Sequence, residues 1–189
     1  MHRRPARWTA NDLLGKKDLS PMPGFPLDDG IIEDVIRYHS GLPGYRTTPL
    51  LPLRRLASSL GLGGIWVKDE SKRFGLNAFK GLGGSYAIAR LLGRSLGIEA
   101  GKIGYERLKE AAQGVKPHTF VTATDGNHGR GVAWAARTLG QKAVVFIPKG
   151  SSRSRIDAIA GEGAEVFVTD VNYDDTVRVA AAYSAENGC

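Results

Sequence analysis

Thr119-Phe120-Val121-Thr122-Ala123-Thr124-Asp125-Gly126-Asn127-His128-Gly129-Arg130-Gly131 is the stretch whose reading decides the fold. Its first half is β-branched and apolar and predicts a strand over 119–124. The polar glycine turn that follows opens a helix over 127–139, ended by Gly140. Downstream, the apolar run 143–147 predicts another strand, stopped by Pro148, and 153–159 a helix capped by Ser151 or Ser152. A strand over 165–169 and a helix over 173–186 complete this half, with Asp174 and Asp175 in the helix's first turn, where negative charge suits the dipole, and Gly188 at its end.

Upstream, 65–68 predicts a strand and 78–92 a helix capped by Asn77, with Phe79, Leu82, Tyr86, Ala89 and Leu92 on one stripe. Residues 1–50 are richer in Pro and Gly. They hold one amphipathic helix, expected over 27–39 with Ile31, Ile32, Val35 and Ile36 as its apolar positions and the turn Leu42-Pro43-Gly44 behind it. Strands alternating with helices at this spacing imply an α/β fold, a parallel twisted sheet with helices on both faces. In such sheets ligands bind beyond the carboxyl ends of the strands, where the turn 124–131 lies.

The 189 residues are 42% hydrophobic and 24% charged, which suits a folded domain rather than a disordered chain. The net charge of +7 comes from scattered Lys and Arg with no basic arm, so no nucleic acid is expected as partner. The single cysteine, Cys189, leaves no internal disulfide and favours a reducing compartment. His2, His39, His118 and His128 lack the spacing of a helical metal pair, so no metal is expected. No apolar run follows the amino terminus and none reaches membrane length, and the chain reads as cytoplasmic, with no membrane partner.

Two stretches carry groups suited to chemistry. In Asn77-Ala78-Phe79-Lys80-Gly81-Leu82-Gly83-Gly84 the lysine stands in the first turn of its helix, where the dipole disfavours an ammonium and is expected to lower its pKa toward the neutral amine that condenses with carbonyls. In Asp125-Gly126-Asn127-His128-Gly129 the glycines allow close backbone approach; Asn127 can donate to a ring oxygen or simply cap the helix, and Asp125 can act as a base or as a turn residue. His128 leans toward a structural role. Together the stretches suit one anionic aromatic cofactor, for which pyridoxal phosphate (PLP) is the obvious candidate. Gly81-Leu82-Gly83-Gly84 follows a helix start rather than a strand, so it is not a dinucleotide loop, and Lys149-Gly150-Ser151-Ser152 lacks the glycine that precedes the lysine of a phosphate loop.

Three segments, from Lys68 to Lys80, from Ala123 to Ala136 and from Thr169 to Arg178, resemble the diaminopropionate ammonia-lyases, a branch of the fold type II, tryptophan-synthase-like PLP enzymes. The resemblance runs from about Arg37 to Gly188. It implies that Lys80 carries PLP as an internal aldimine, that Asn127 hydrogen-bonds the cofactor's phenolic oxygen, and that Phe79, Gly126 and His128 join them in binding it. It also implies β-elimination of 2,3-diaminopropionate to pyruvate and ammonia, with Lys80 and Asp125 as catalytic residues sharing α-proton removal. Serine and threonine dehydratases, the runner-up reading, carry a small residue where Asp125 stands. The expected partners are a small amino-acid substrate and, in the full-length family, a second copy in a homodimer.

The same resemblance implies that only the amino-terminal part of the fold is present. Residues 1–64 would belong to the larger domain and 65–189 would form the PLP-binding region including the small domain, with the rest of the large domain absent. The family's phosphate loop and the residue facing its pyridine nitrogen lie beyond residue 189. At about 1.5–3 kcal/mol per charged hydrogen bond, their loss would weaken cofactor binding and leave an incomplete enzyme. A noncatalytic remnant of the fold is the reading of a different class.

Overall fold

The unbroken apolar run Ala143-Val144-Val145-Phe146-Ile147 needs cover on both faces, and it has it: all five side chains are buried. In the computed structural model, which describes residues 29–189, this run lies in the central strand of a three-stranded parallel sheet. Thr119–Ala123 (β3) pairs with Lys142–Pro148 (β4), and β4 with Glu165–Thr169 (β5). Alternation along β4 sorts its residues. Ala143, Val145 and Ile147 join the larger core with Ala133 and Ala136 of the helix Asn127–Thr138 (α5), with Leu139 just after it, and with Ile88, Ala89 and Leu92 of Lys80–Ser95 (α3). Val144 and Phe146 face the other way, onto Ala180 and Tyr183 of Tyr173–Asn187 (α7). Arg153–Ala160 (α6) packs beside α5 and β5. The expected parallel α/β sheet with helices on both faces is what forms.

The chain before the parallel sheet departs from the reading in four places. The strand at Trp66–Lys68 (β2) does not join the parallel sheet; it pairs antiparallel with Leu50–Pro52 (β1), with Pro52 opposite Trp66. Proline within such a run hides a strand from pattern reading and is tolerated here because β1 is an edge. The first helix, expected over 27–39, is seen from Asp29 to Ser40 (α1), residues 27 and 28 lying outside the described ones. Ile32 and Ile36 of its expected apolar face are exposed, and Tyr38 is the residue driven inward, its hydroxyl donating to the Ser85 carbonyl at 3.1 Å. The helices Arg54–Ser59 (α2) and Tyr105–Ala111 (α4) fall where no element was expected; α4 buries Tyr105 and Leu108.

The fourth departure bears on the site. The helix expected over 78–92 begins at Lys80, and Asn77 does not cap it. Phe74, Gly75 and Asn77 have φ of 52°, 73° and 55°, a left-handed path that no right-handed helix can include. Asparagine is among the few residues that tolerate this conformation, so the residue marks a turn rather than a cap. Phe79 occupies the N-cap position without a side-chain bond and is exposed, off the buried stripe.

Among the described residues β3 and β5 form the open edges of the parallel sheet. No helix among them is long and apolar enough to cross a membrane.

Candidate active site

The first turn of α5 rests on Thr124. Its hydroxyl oxygen accepts from Gly126 N at 2.9 Å and from Gly129 N at 3.0 Å, satisfying two of the amides a helix start leaves open. Glycine at 129 is obligatory, because a Cβ there would stand 2.4 Å from the Thr124 methyl and 2.8 Å from Val145. Asn127 is therefore not the cap. Its side chain is exposed at the helix mouth and makes no hydrogen bond among the described residues, which leaves its amide available to a ligand.

Thr124→Val keeps the shape of the side chain but removes the acceptor. It is expected to cost about 1–2 kcal/mol of stability, whereas Thr124→Ser retains the bond. Urea unfolding of the two variants checks this, and equal stabilities would remove Thr124 from the role.

Lys80 reaches the same place through helix packing. Gly131 of α5 lies so close to the start of α3 that a Cβ would fall 2.9 Å from Lys80 C and 3.0 Å from Gly81 N. A Cβ on Gly84 would meet the Gly131 carbonyl carbon at 3.5 Å. The lysine is thus held at the mouth of α5, its Nζ 5.0 Å from the centre of the Phe79 ring.

An open cleft of about 570 Å³ results, lined by Lys80, Asp125, Gly126, Asn127, His128, Arg155 and Tyr173. Five of the six residues singled out from the sequence share it. Phe79 does not: it borders the adjoining apolar groove with Ala87, Leu91 and Phe120. Arg155 and Tyr173 escaped the sequence reading. Arg155 Nη1 donates to the Asp125 carbonyl at 3.1 Å, pinning the turn from the side of α6. The signal that would have found both is topological. They stand at the starts of the helices that follow β4 and β5, as Asn127 does after β3, and those starts surround the crevice beyond the sheet's carboxyl ends.

The cleft therefore sets two cations, Lys80 and Arg155, against the single carboxylate of Asp125. His128 bonds Thr122 Oγ1 at 3.1 Å through Nε2, and burial, then the charge of Lys80, lower its pKa, keeping it neutral at pH 7. Since the unfolded imidazole binds its proton more readily, stability contributed here is full above pH 6.5 and falls as pH drops through that value. His39, lowered mainly by burial, acts in the same direction. The melting midpoint is expected to fall between about pH 7.5 and 5.5 and to fall less in His128→Gln; an equal fall in both proteins would exclude His128 as a contributor.

A family model described as pyridoxal-phosphate dependent enzyme matches residues 42–189. The diaminopropionate ammonia-lyase of Escherichia coli K12 is 55% identical over 152 residues, covering 80% of this chain and 38% of that protein. Its counterpart from Salmonella typhimurium LT2 is 51% identical over 164 residues, covering 86% and 41%. The crystal structure of the Escherichia coli enzyme in complex with D-serine superposes with a TM-score of 0.79 at 50% identity, over 85% of this chain and 41% of that one. The chain spans about two-fifths of the length of these curated relatives.

Proposed function

The chain belongs to the pyridoxal-phosphate dependent enzyme family, and from that premise we propose that it is part of a diaminopropionate ammonia-lyase. The reaction is β-elimination: 2,3-diaminopropionate and water give pyruvate and two molecules of ammonia. In this reading residues 65–189 form the PLP-binding region including the small domain, and 1–64 belong to the larger domain.

The observation that carries the proposal is the meeting of Lys80, Asp125 and Asn127 in one cleft, from stretches far apart in the chain. The donor set fits the cofactor. Lys80 supplies the amine an aldehyde requires, Asn127 an amide free to donate to a ring oxygen, and the glycine turn a close approach without side chains. When bound, PLP supplies an electron-withdrawing ring that takes up the electrons of a broken Cα–H bond.

This chain's own residues bind, orient and move protons. Lys80 anchors the cofactor and, as a free amine, accepts the α-proton of one isomer; Asp125 accepts that of the other. The small amino-acid substrate is supported by the D-serine held in the Escherichia coli relative. Asp125 favours the diaminopropionate reaction over dehydration of serine or threonine, because the carboxylate adds a second base to the one Lys80 provides.

The test is incubation of the purified chain with PLP, reduction with borohydride and mapping of the modified lysine by mass spectrometry. Stoichiometric labelling confined to Lys80 supports the assignment; labelling spread over surface lysines overturns it. Turnover of diaminopropionate against serine and threonine then separates lyase from dehydratase.

A further inference from the structure

We propose that Arg130 is a positioning residue for Lys80, holding the turn from which α3 starts through the carbonyls of Gly75 and Leu76 while Glu162 holds the guanidinium. The inference rests on the reading of Lys80 as the cofactor's amine. The turn before Lys80 follows the left-handed path at Phe74, Gly75 and Asn77, a conformation that persists only where its surroundings impose it. Three contacts do so. Phe74 stacks on Trp134 of α5 with ring centres 4.5 Å apart. Leu76 is buried beneath Gly81, where a Cβ would meet its Cδ1 at 2.9 Å. Arg130 Nη1 donates to Leu76 O at 3.3 Å, and Nη2 reaches Gly75 O at 3.5 Å.

The guanidinium is itself fixed from behind. Glu162, in the connection between α6 and β5, is buried and receives Arg130 Nε at 3.1 Å on one oxygen and Arg137 Nη2 at 2.6 Å on the other. A buried carboxylate with both oxygens engaged gives Arg130 a defined geometry rather than a mobile surface one. Arg130 and Asn127 lie three residues apart on α5, on neighbouring positions of one face. One helix thus presents Asn127 to the cleft and fixes where Lys80 stands relative to it.

Hydrogen exchange on the full 189-residue chain, read alongside borohydride labelling with PLP, tests the role in Arg130→Met, Arg130→Lys and Glu162→Gln. The amides of Leu76 and Leu82, bonded to Arg73 O and Phe79 O, report the turn. In Arg130→Met their exchange is expected to rise by at least about ten-fold, the loss of one charged hydrogen bond, while β4 keeps its protection and labelling of Lys80 falls several-fold. Lysine at 130, which keeps the charge on Glu162 but cannot span both carbonyls, is expected to restore part of each effect, and it is the variant read if Arg130→Met fails to fold. Unchanged exchange at Leu76 and Leu82, or an equal rise in β4, overturns the positioning role. Equal labelling of wild type and variant at Lys80 overturns it as well. A wild-type chain that never labels at Lys80 overturns instead the cofactor assignment on which the role depends, and the exchange data show which of the two has failed.

Discussion

Asp125→Asn, made in the complete lyase of which this chain is proposed to be part, is expected to lower kcat/KM for one enantiomer of 2,3-diaminopropionate by about 10²- to 10⁴-fold, the range of a lost general base, and to leave the other enantiomer within a few-fold of wild type. The asymmetry follows from the proposed roles of two groups that share one cleft, an amine on α3 and a carboxylate in the turn before α5. Asparagine keeps the volume of Asp125 and can keep the turn, whose backbone is held independently: Arg155 bonds the carbonyl of residue 125, not its side chain, and Thr124 satisfies the neighbouring amides. Cofactor labelling at Lys80 should therefore be preserved in the variant. Steady-state rates with each enantiomer make the measurement, with borohydride labelling as the control. Equal losses for both enantiomers would return Asp125 to a turn residue, and no loss for either would leave Lys80 as base for both.

Gly131→Ala is expected to be strongly damaging, because it sets a single methyl group against the backbone beneath Lys80. The new Cβ would stand 2.9 Å from Lys80 C, 3.0 Å from Gly81 N and 3.0 Å from Lys80 O, all backbone atoms, which cannot swing aside as a side-chain tip would. The helices must separate, at about 1–3 kcal/mol for such overpacking, and the separation falls at the residue that carries the amine. Stability and Lys80 labelling should drop together. Gly83→Ala is the control: it lies on α3, the helix of Lys80, but its Cβ would meet nothing within 4 Å, and alanine there is expected to stabilise α3 slightly. Thermal unfolding of the pair decides the matter, since similar midpoints would mean that α3 and α5 have more room than their backbones indicate.

What the sequence by itself determined lies where the governing interactions are short in range. The strand-turn-helix at 119–139, the buried run of β4, and α7 with its acidic first turn and Gly188 at its end are legible because period, glycine and capping act between residues a few positions apart. Both stretches of the candidate site were legible for the same reason: an amine at one helix mouth and a polar glycine turn at another are local patterns.

Only the tertiary structure decided the rest. Asn77 looks like a cap until Arg130, Trp134 and Leu76 impose a left-handed path, and Asn127 looks like one until Thr124, already paired through β4, takes that duty. Leu50–Pro52 becomes a strand because Trp66–Lys68 lies alongside it. Arg155 and Tyr173 enter the cleft because parallel strands place the helix starts that follow them at one end of the sheet. Each of these outcomes is set by groups distant in the chain, whose approach depends on how sheet and helices pack and so leaves no mark in the local pattern of residues.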